Sequence, residues 1–151
     1  MFDLRILGLL VLAGAGARAW SEELEVTASG LGGLFPARKV CAVEPDPNGG
    51  DDSPAILQAF SDCSRHGLIT FANATYNIHQ VMRTIDLEDV IIDLKGTLLW
   101  NADDLPYWLN NSIENGYQNQ TSAWHLGGNR IVFLGHGVGT LDGNGESGCH
   151  R

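Results

Sequence analysis

The sequence predicts an all-β domain, a parallel β-helix whose first coils follow one capping α-helix. Three observations support this fold class: a single helical pattern, a series of short apolar runs separated by turn residues, and a resemblance between two of those runs. The two similar pieces begin at Val90 and Ile131, and in each an aliphatic run is followed by glycine. Coils of this kind stack and share one core. A β-sandwich is the alternative arrangement of the same short strands.

The capping helix is predicted at residues 54–65. Ser53 is a favourable N-cap, and Pro54 suits the first helical position. Four apolar residues then recur at helical spacing: Ile56, Leu57, Phe60 and Cys63. A helix at this position would cover the end of the first coil, where backbone groups and the apolar core are otherwise open.

Seven short strands are predicted after Gly67, each bounded by turn residues. They cover residues 68–71, 76–78, 90–94, 97–100, 123–126, 131–134 and 139–142. No second amphipathic helix is predicted, which argues against an alternating βα architecture.

Length and charge exclude several classes of protein. A chain of 151 residues suits one domain, and 44% hydrophobic residues is too high a fraction for a disordered chain. The formal net charge of −9 argues against binding to nucleic acid or to an anionic membrane, because no basic stripe exists to neutralise phosphates. Three cysteines are too few for a four-cysteine zinc site, and no histidine has metal-ligand spacing, so we predict neither metal nor cofactor.

The first residues have the pattern of a secretory signal peptide, predicted at 1–19. Arg5 precedes an apolar run at 6–15, and Ala17-Arg18-Ala19 has the small-x-small pattern of a cleavage site. A buried N-terminal strand or helix is the alternative. Residues 20–40 are predicted to form a flexible lead-in, and the protein is predicted to be extracellular.

An extracellular location changes how the cysteines and asparagines are interpreted. An oxidising compartment favours a disulfide between Cys41 and Cys63, which leaves Cys149 unpaired. Three Asn-x-Ser/Thr acceptors, at Asn73, Asn110 and Asn119, predict N-linked glycans on surface segments.

Five motifs within the stretch 41–145 occur together: Gly-Asp-Asp-Ser-Pro-Ala-Ile at 50–56, Ile-Thr-Phe at 69–71 followed by Thr75-Tyr76, Asp-Leu-Lys-Gly-Thr-Leu at 93–98, the aromatic segment 107–124, and Gly-Val-Gly-Thr-Leu-Asp-Gly-Asn-Gly at 137–145. With these motifs the stretch resembles the fungal polygalacturonase family of glycoside hydrolases, family 28, and in particular its exo-acting members. It implies a right-handed parallel β-helix that acts as a monomer on pectin or polygalacturonate. Residues 146–151 depart from the family pattern.

The resemblance implies hydrolysis, with inversion, of terminal α-1,4-linked galacturonic acid. The family's catalytic residues come from Asn-Thr-Asp, Asp-Asp, Gly-His-Gly and Arg-Ile-Lys motifs in later coils, which we do not find in their family context here. We therefore predict no catalytic residue in this chain, which we expect to be truncated before those motifs and inactive alone. The alternative function is a secreted non-catalytic β-solenoid that binds acidic wall polysaccharide.

Three short motifs match catalytic residue types but are interpreted as structural. Asp51-Asp52 precedes the predicted helix, where negative charge favours the helix dipole. Asp103-Asp104 is interpreted as a solvated loop pair, and His136 as a turn residue between two glycines. Five aromatic residues crowd the segment around these loops, and they are expected to pack there or to stack on sugar rings: Trp100, Tyr107, Trp108, Tyr117 and Trp124.

Overall fold

The computed structural model describes residues 37–145, in which strands outnumber helices. In chain order the elements are β1 (Lys39–Val43), α1 (Ser53–Asp62), β2 (Gly67–Phe71), β3 (Thr75–Ile78), β4 (Met82–Leu94), β5 (Thr97–Trp100), α2 (Leu105–Asn111), β6 (Ile113–Glu114), β7 (Thr121–Ser122), β8 (Trp124–Leu134) and β9 (Thr140–Asp142). The predicted signal peptide and Cys149 lie outside the described residues. Neither helix of the described part is long and apolar enough to cross a membrane.

The strands form two parallel sheets and one small antiparallel hairpin. The first sheet has the order β1-β2-β4-β8, the second has the order β3-β5-β9, and β6 pairs with β7. From β2 to β5 the chain enters the two sheets in turn, and after the hairpin it adds β8 to the first sheet and β9 to the second. The predicted all-β class is confirmed, and the ladders of both main sheets are parallel.

Equivalent positions of successive strands stack and form the core. Ile69 of β2 pairs with Ile92 of β4, and Tyr76 of β3 pairs with Leu98 of β5. All four side chains are fully buried in one hydrophobic cluster. Burying an aliphatic or aromatic side chain contributes about 1.5–3 kcal/mol, so these stacked positions supply much of the energy that holds the strands together.

Tyr76 shows how the core accommodates a polar atom. Its hydroxyl donates a 3.0 Å hydrogen bond to the carbonyl of Val43 and accepts a 2.8 Å bond from the backbone N–H of Ala72. Burial raises the pKa of Tyr76 above its ordinary value, so the neutral phenol is retained as a donor.

Helix α1 lies close to the predicted span but begins one residue earlier than expected. Asp52, not Ser53, is the N-cap residue, and it makes no side-chain cap bond; Ser53 is the first helical residue and is buried. Ile56 and Phe60 are buried, and the helix packs against β1 and β4. The helix ends at Asp62, three residues before the predicted end.

The predicted disulfide between Cys41 and Cys63 is present, with the two Cα atoms 6.2 Å apart. Cys41 lies in β1, and Cys63 is the C-cap residue of α1. The bond therefore fastens the end of the helix to the first strand of the sheet that it covers.

Two strands are longer than predicted. The predicted strand 90–94 is only the end of β4. The predicted strand 131–134 lies within β8, and the predicted strand 123–126 overlaps the start of the same strand. Both strands contain residues in the left-handed region: Asp86 at φ 66°, Asp89 at φ 55° and Arg130 at φ 55°. Such residues bend a strand and place polar side chains inside it, so the sequence there resembles a loop.

Four elements were not predicted from the sequence. Strand β1 precedes the helix, and the segment between β5 and β8 contains helix α2 and the β6–β7 hairpin. Helix α2 is a second helix, but it has only seven residues and none of them is buried, so it is not the second amphipathic helix that the sequence argues against. A helix of fewer than two turns is too short to leave a recognisable 3.6-residue period in the sequence.

Candidate functional site

A cavity lies beneath the segment that connects β5 and β8. Its volume is about 260 Å³, and its lining is mainly apolar, with two tryptophans. The lining residues are Trp100, Asn101, Ala102, Leu105, Trp108, Ser112, Ala123 and Gly143. The end of β5, helix α2, the residue before β8 and the residue after β9 therefore all meet at this cavity.

Hydrogen bonds to the backbone anchor helix α2 over this cavity. The indole Nε1 of Trp108 donates a 2.6 Å bond to the carbonyl of Asn101. The hydroxyl of Tyr107 accepts a 3.1 Å bond from the backbone N–H of Val81. Both rings thus serve the packing role considered for them, and they hold the helix against the end of the sheets.

Trp100 and Trp124 form the aromatic interior next to the cavity. Their ring centroids are 6.1 Å apart, and Trp124 also packs edge-on against Phe60 at 5.8 Å. Nε1 of Trp124 donates a 2.8 Å bond to Oγ1 of Thr84. Nε1 of Trp100 is buried and has no partner, the only such side-chain polar atom among residues 37–145. Trp100 and Trp108 give the cavity an aromatic lining, which suits packing against the apolar face of a sugar ring.

The carboxylates of Asp51 and Asp52 are occupied by neighbouring backbone groups. Asp51 accepts bonds from the N–H of Ser53 at 2.9 Å and of His79 at 3.1 Å. Asp52 is buried and accepts from the N–H of Asn77 at 2.7 Å. Burial acts to raise the pKa of Asp51, but hydrogen bonds from Ser53, His79 and Gln80 outweigh it, so the pKa lies below the ordinary value. These contacts fit a structural role in closing the loop before α1.

Asp103 and Asp104 have different surroundings. Asp104 is the N-cap of α2, and its Oδ1 accepts a 2.9 Å bond from the N–H of Tyr107. Asp103 is exposed. Asp104 therefore has a structural role as a helix cap, whereas the sequence predicted that both residues form a solvated loop pair.

His136 occupies the turn after β8 and contacts Asp93 of the neighbouring strand β4. Its backbone has φ 50°, and its Nε2 lies 2.7 Å from Oδ1 of Asp93. Lys95 Nζ lies 3.5 Å from the other oxygen of the same carboxylate. The three side chains form a charged cluster on the outside of the molecule, and its contacts fit the turn role expected for His136.

One charged cluster was not anticipated from the sequence. Asp89 lies 2.9 Å from Nη2 of Arg38 through one oxygen, and 2.9 Å from Nδ1 of His66 through the other. Hydrogen bonds from Arg38 and then from His66 lower the pKa of Asp89. Arg38 is 51 positions from Asp89 in the chain, and His66 is 23 positions from it. Only the strand register brings the three side chains together.

The predicted glycan acceptors Asn73, Asn110 and Asn119 are all exposed. Among residues 37–145 no group of three or more His, Cys, Asp or Glu side chains is arranged to hold a metal ion.

Comparison with curated proteins found fungal glycosidases. The chain is 51% identical over 112 residues to the alpha-L-rhamnosidase rgxB of Aspergillus niger, a match that covers 74% of this chain and 26% of that protein. It is 34% identical over 147 residues to exopolygalacturonase X of Aspergillus niger, covering 93% and 33%. It is 36% identical over 112 residues to exopolygalacturonase X-1 of Emericella nidulans, covering 74% and 25%.

No protein-family model and no solved structure matched the chain. The chain spans about a quarter to a third of the length of these curated relatives. Because the similarity extends over most of the chain, from 74% to 93% of its residues, the chain belongs to the fungal polygalacturonase family of glycoside hydrolases, family 28.

Proposed function

We propose that this chain forms part of a secreted, exo-acting pectin glycosidase with the architecture of a right-handed parallel β-helix. The observation that carries the proposal is the 34–51% identity to an exopolygalacturonase and a rhamnosidase of fungi. The predicted signal peptide and the Cys41–Cys63 disulfide support secretion, because disulfides persist in oxidising compartments.

The strand order supports the β-helix. After β1, the strands of the first sheet are β2, β4 and β8, and those of the second are β3, β5 and β9. A chain that adds one parallel strand to each sheet per turn is a coiling chain, and its turns are the rungs of a solenoid. Helix α1 covers the end of this stack through Ile56 and Phe60.

We propose terminal galacturonate as the sugar released, by inverting hydrolysis of an α-1,4 bond. Such hydrolysis uses an acid and a base carboxylate about 6.5–9.5 Å apart. Terminal rhamnose is the second candidate, and one observation favours it: identity to the rhamnosidase is 51%, against 34% and 36% for the two exopolygalacturonases.

In this proposal the described residues contribute scaffold and sugar contacts but no catalytic carboxylate. Asp51, Asp52 and Asp104 bond to backbone amides, and His136 bonds to Asp93. We expect the chain alone to release no sugar, because general acid and base groups each contribute about 10²–10⁴-fold to such a reaction.

Exchange of the matched segment tests the proposal. The matched residues of this chain replace their counterparts in the Aspergillus niger rhamnosidase and, separately, in exopolygalacturonase X. Each chimera is secreted, and released rhamnose and galacturonate are measured by chromatography beside the parent enzyme. We expect each chimera to release its parent's sugar. Chimeras that are secreted and folded, by circular dichroism, but inactive would contradict the proposed function.

The alternative is a non-catalytic β-solenoid that binds acidic wall polysaccharide, and the aromatic cavity favours it. Titration calorimetry of the unmodified chain with oligogalacturonates tests whether the chain binds such a polysaccharide. A Trp100→Leu variant keeps an apolar side chain but removes part of the aromatic lining, and it should weaken binding about tenfold if the cavity is the site. Binding that Trp100→Leu leaves unchanged would exclude the cavity.

A further inference from the structure

The chain contains three Asn-Gly dipeptides, beginning at Asn48, Asn115 and Asn144. An asparagine followed by glycine can cyclise, because glycine has no Cβ to obstruct attack of its backbone nitrogen on the side-chain amide. The three dipeptides share this chemistry, so their surroundings in the fold decide how readily each one reacts.

Asn115 directly follows β6, and two donors contact the oxygen of its side-chain amide. Oγ of Ser122 donates a 3.0 Å hydrogen bond to Oδ1 of Asn115. Nε2 of His125 lies 2.9 Å from the same oxygen, and it is the donor in this contact because a carbonyl oxygen only accepts. Two donors on one amide oxygen stabilise the negative charge that this oxygen acquires when a nucleophile attacks Cγ.

The nucleophile in such an attack is the backbone nitrogen of Gly116, which is accessible. Gly116 is exposed, and a Cβ built on it would meet no atom within 4 Å. Among the hydrogen bonds of residues 37–145, none is donated by the N–H of Gly116. The nitrogen therefore gives up no hydrogen bond within this part of the chain when it bonds to the side chain of Asn115.

Asn48 has the same dipeptide in different surroundings. The N–H of Gly49 donates a 2.9 Å hydrogen bond to the carbonyl of Asp46, so this nucleophile is occupied. Nδ2 of Asn48 donates a 3.2 Å bond to Oδ1 of Asp46, a contact that holds the amide nitrogen and does not polarise the amide oxygen. The chain thus contains its own comparison for the reactivity of Asn115.

We propose that Asn115 is a site of self-promoted deamidation, in which Ser122 and His125 accelerate ring closure. Solvent hydroxide takes the proton of the Gly116 N–H, the nitrogen bonds to Cγ of Asn115, and the bond from Cγ to Nδ2 breaks. Nδ2 takes a proton from water and leaves as ammonia, and a succinimide remains. Water then opens the ring at either carbonyl, which gives aspartate or isoaspartate.

The modification changes the hairpin that borders the cavity. Ser112 and Ala123 flank β6 and β7 in the sequence, and both line the cavity. Either product replaces a neutral amide by a carboxylate, and isoaspartate also adds a methylene group to the backbone where β6 ends. Because loop length fixes the register of a hairpin, the longer backbone should loosen the pairing of β6 with β7.

Peptide mapping by mass spectrometry tests the proposal on the whole secreted chain. The chain is incubated at neutral pH in native buffer and, separately, in urea, and conversion of amide to carboxylate is followed with time. Fragment ions assign the change to Asn115 and distinguish it from Asn110 and Asn119, whose predicted glycans are left in place. In urea we expect Asn115 and Asn48 to convert at similar rates, because both precede glycine.

In the folded chain Asn115 should convert about tenfold faster than Asn48, and faster than Asn115 itself does in urea. This effect is smaller than that of an oxyanion hole in a closed enzyme site, because Asn115 is exposed to water. Amide hydrogen exchange of β6 and β7 should become faster as the conversion proceeds.

Variants distinguish promotion by the donors from loosening of the hairpin. Ser122→Ala and His125→Ala each remove one donor and should slow conversion of Asn115 about threefold, with Asn48 unchanged. His125→Gln is the matched control, because its amide N–H can donate to the same oxygen and should restore part of the rate. Hydrogen exchange of β6 and β7 in freshly prepared variants shows whether the hairpin is still formed.

Two results would overturn the inference. The first is conversion of Asn115 that is slower in the folded chain than in urea, since the two contacts would then restrain the amide. The second is conversion in Ser122→Ala and His125→Ala that is as fast as in the unmodified chain, or faster. No sugar is bound or released in these measurements, so their outcome is independent of the proposed function.

Discussion

Nε2 of His136 lies 2.7 Å from Oδ1 of Asp93, and the two residues are 43 positions apart in the chain. Asp93 pairs with Leu134 in the ladder between β4 and β8, so the contact joins β4 to the turn after β8. A Gly-His-Gly motif that resembles a catalytic one thus connects this turn to the neighbouring strand.

His136→Ala should lower stability only slightly, by about 0.2–1 kcal/mol, because its contact with Asp93 is partly exposed. Urea unfolding followed by fluorescence measures the change. Asp93→Asn removes the negative charge that both His136 and Lys95 contact, so it should lower stability at least as much. A chain that releases galacturonate, and loses that activity in His136→Ala, would show that the histidine is catalytic.

Removing the disulfide should lower the stability of the folded chain more than His136→Ala does. Cys41→Ser in the chain should lower the free energy of unfolding by about 3 kcal/mol, because the cross-link closes a loop with a sequence separation of 22. Cys149→Ser is the control and should have no effect if that thiol is unpaired. Non-reducing peptide mapping in which Cys149 is bridged to Cys41 or Cys63 would contradict this pairing.

Gly96 allows the chain to pass close to a neighbouring turn. A Cβ at Gly96 would lie 2.1 Å from the carbonyl oxygen of Ala74. Gly96→Ala should therefore destabilise by about 1–3 kcal/mol, as overpacking does. Gly143→Ala is the matched control, because no atom lies within 4 Å of its Cβ position. Equal thermal midpoints for the two variants would refute the close approach.

Acid should weaken the loop before α1. The pKa of Asp51 in the folded chain is below its ordinary value of 3.8, so the ionised carboxylate stabilises the folded state above that pH. This contribution is lost as the pH falls through 3.8 toward the lower folded value. Asp51→Asn should cost about 1 kcal/mol at pH 7, comparable to a lost capping bond. The difference between the two proteins should shrink as the pH falls through 3.8 and below, and a constant difference would exclude Asp51 as its source.

Glycans are expected at Asn73, Asn110 and Asn119, whose side chains are all exposed. Protein secreted from a fungal host should gain mobility on a gel after enzymatic deglycosylation. Single Asn→Gln variants should each remove one step of the shift. No mobility change in the secreted protein would refute all three sites.

Several elements followed from local sequence patterns. Strands β2, β3 and β5 lie within a residue of their predictions, because each is a short apolar run bounded by turn residues. Helix α1 was recognisable from Pro54 and the spacing of Ile56 and Phe60. The disulfide followed from the predicted signal peptide, which indicates an oxidising compartment, and from one cysteine before the helix and one within its predicted span.

The sequence by itself thus determined the fold class, the helix, most strand positions and the family. The tertiary structure alone decided what depends on the register between paired strands: the long bent strands β4 and β8, the contact of Asp93 with His136, and the cluster around Asp89. It also decided that Trp100 and Trp108 line one cavity. The physical reason is that parallel pairing brings together residues about 20–50 positions apart, and local periodicity says which face a side chain occupies but not which residue of another strand it meets.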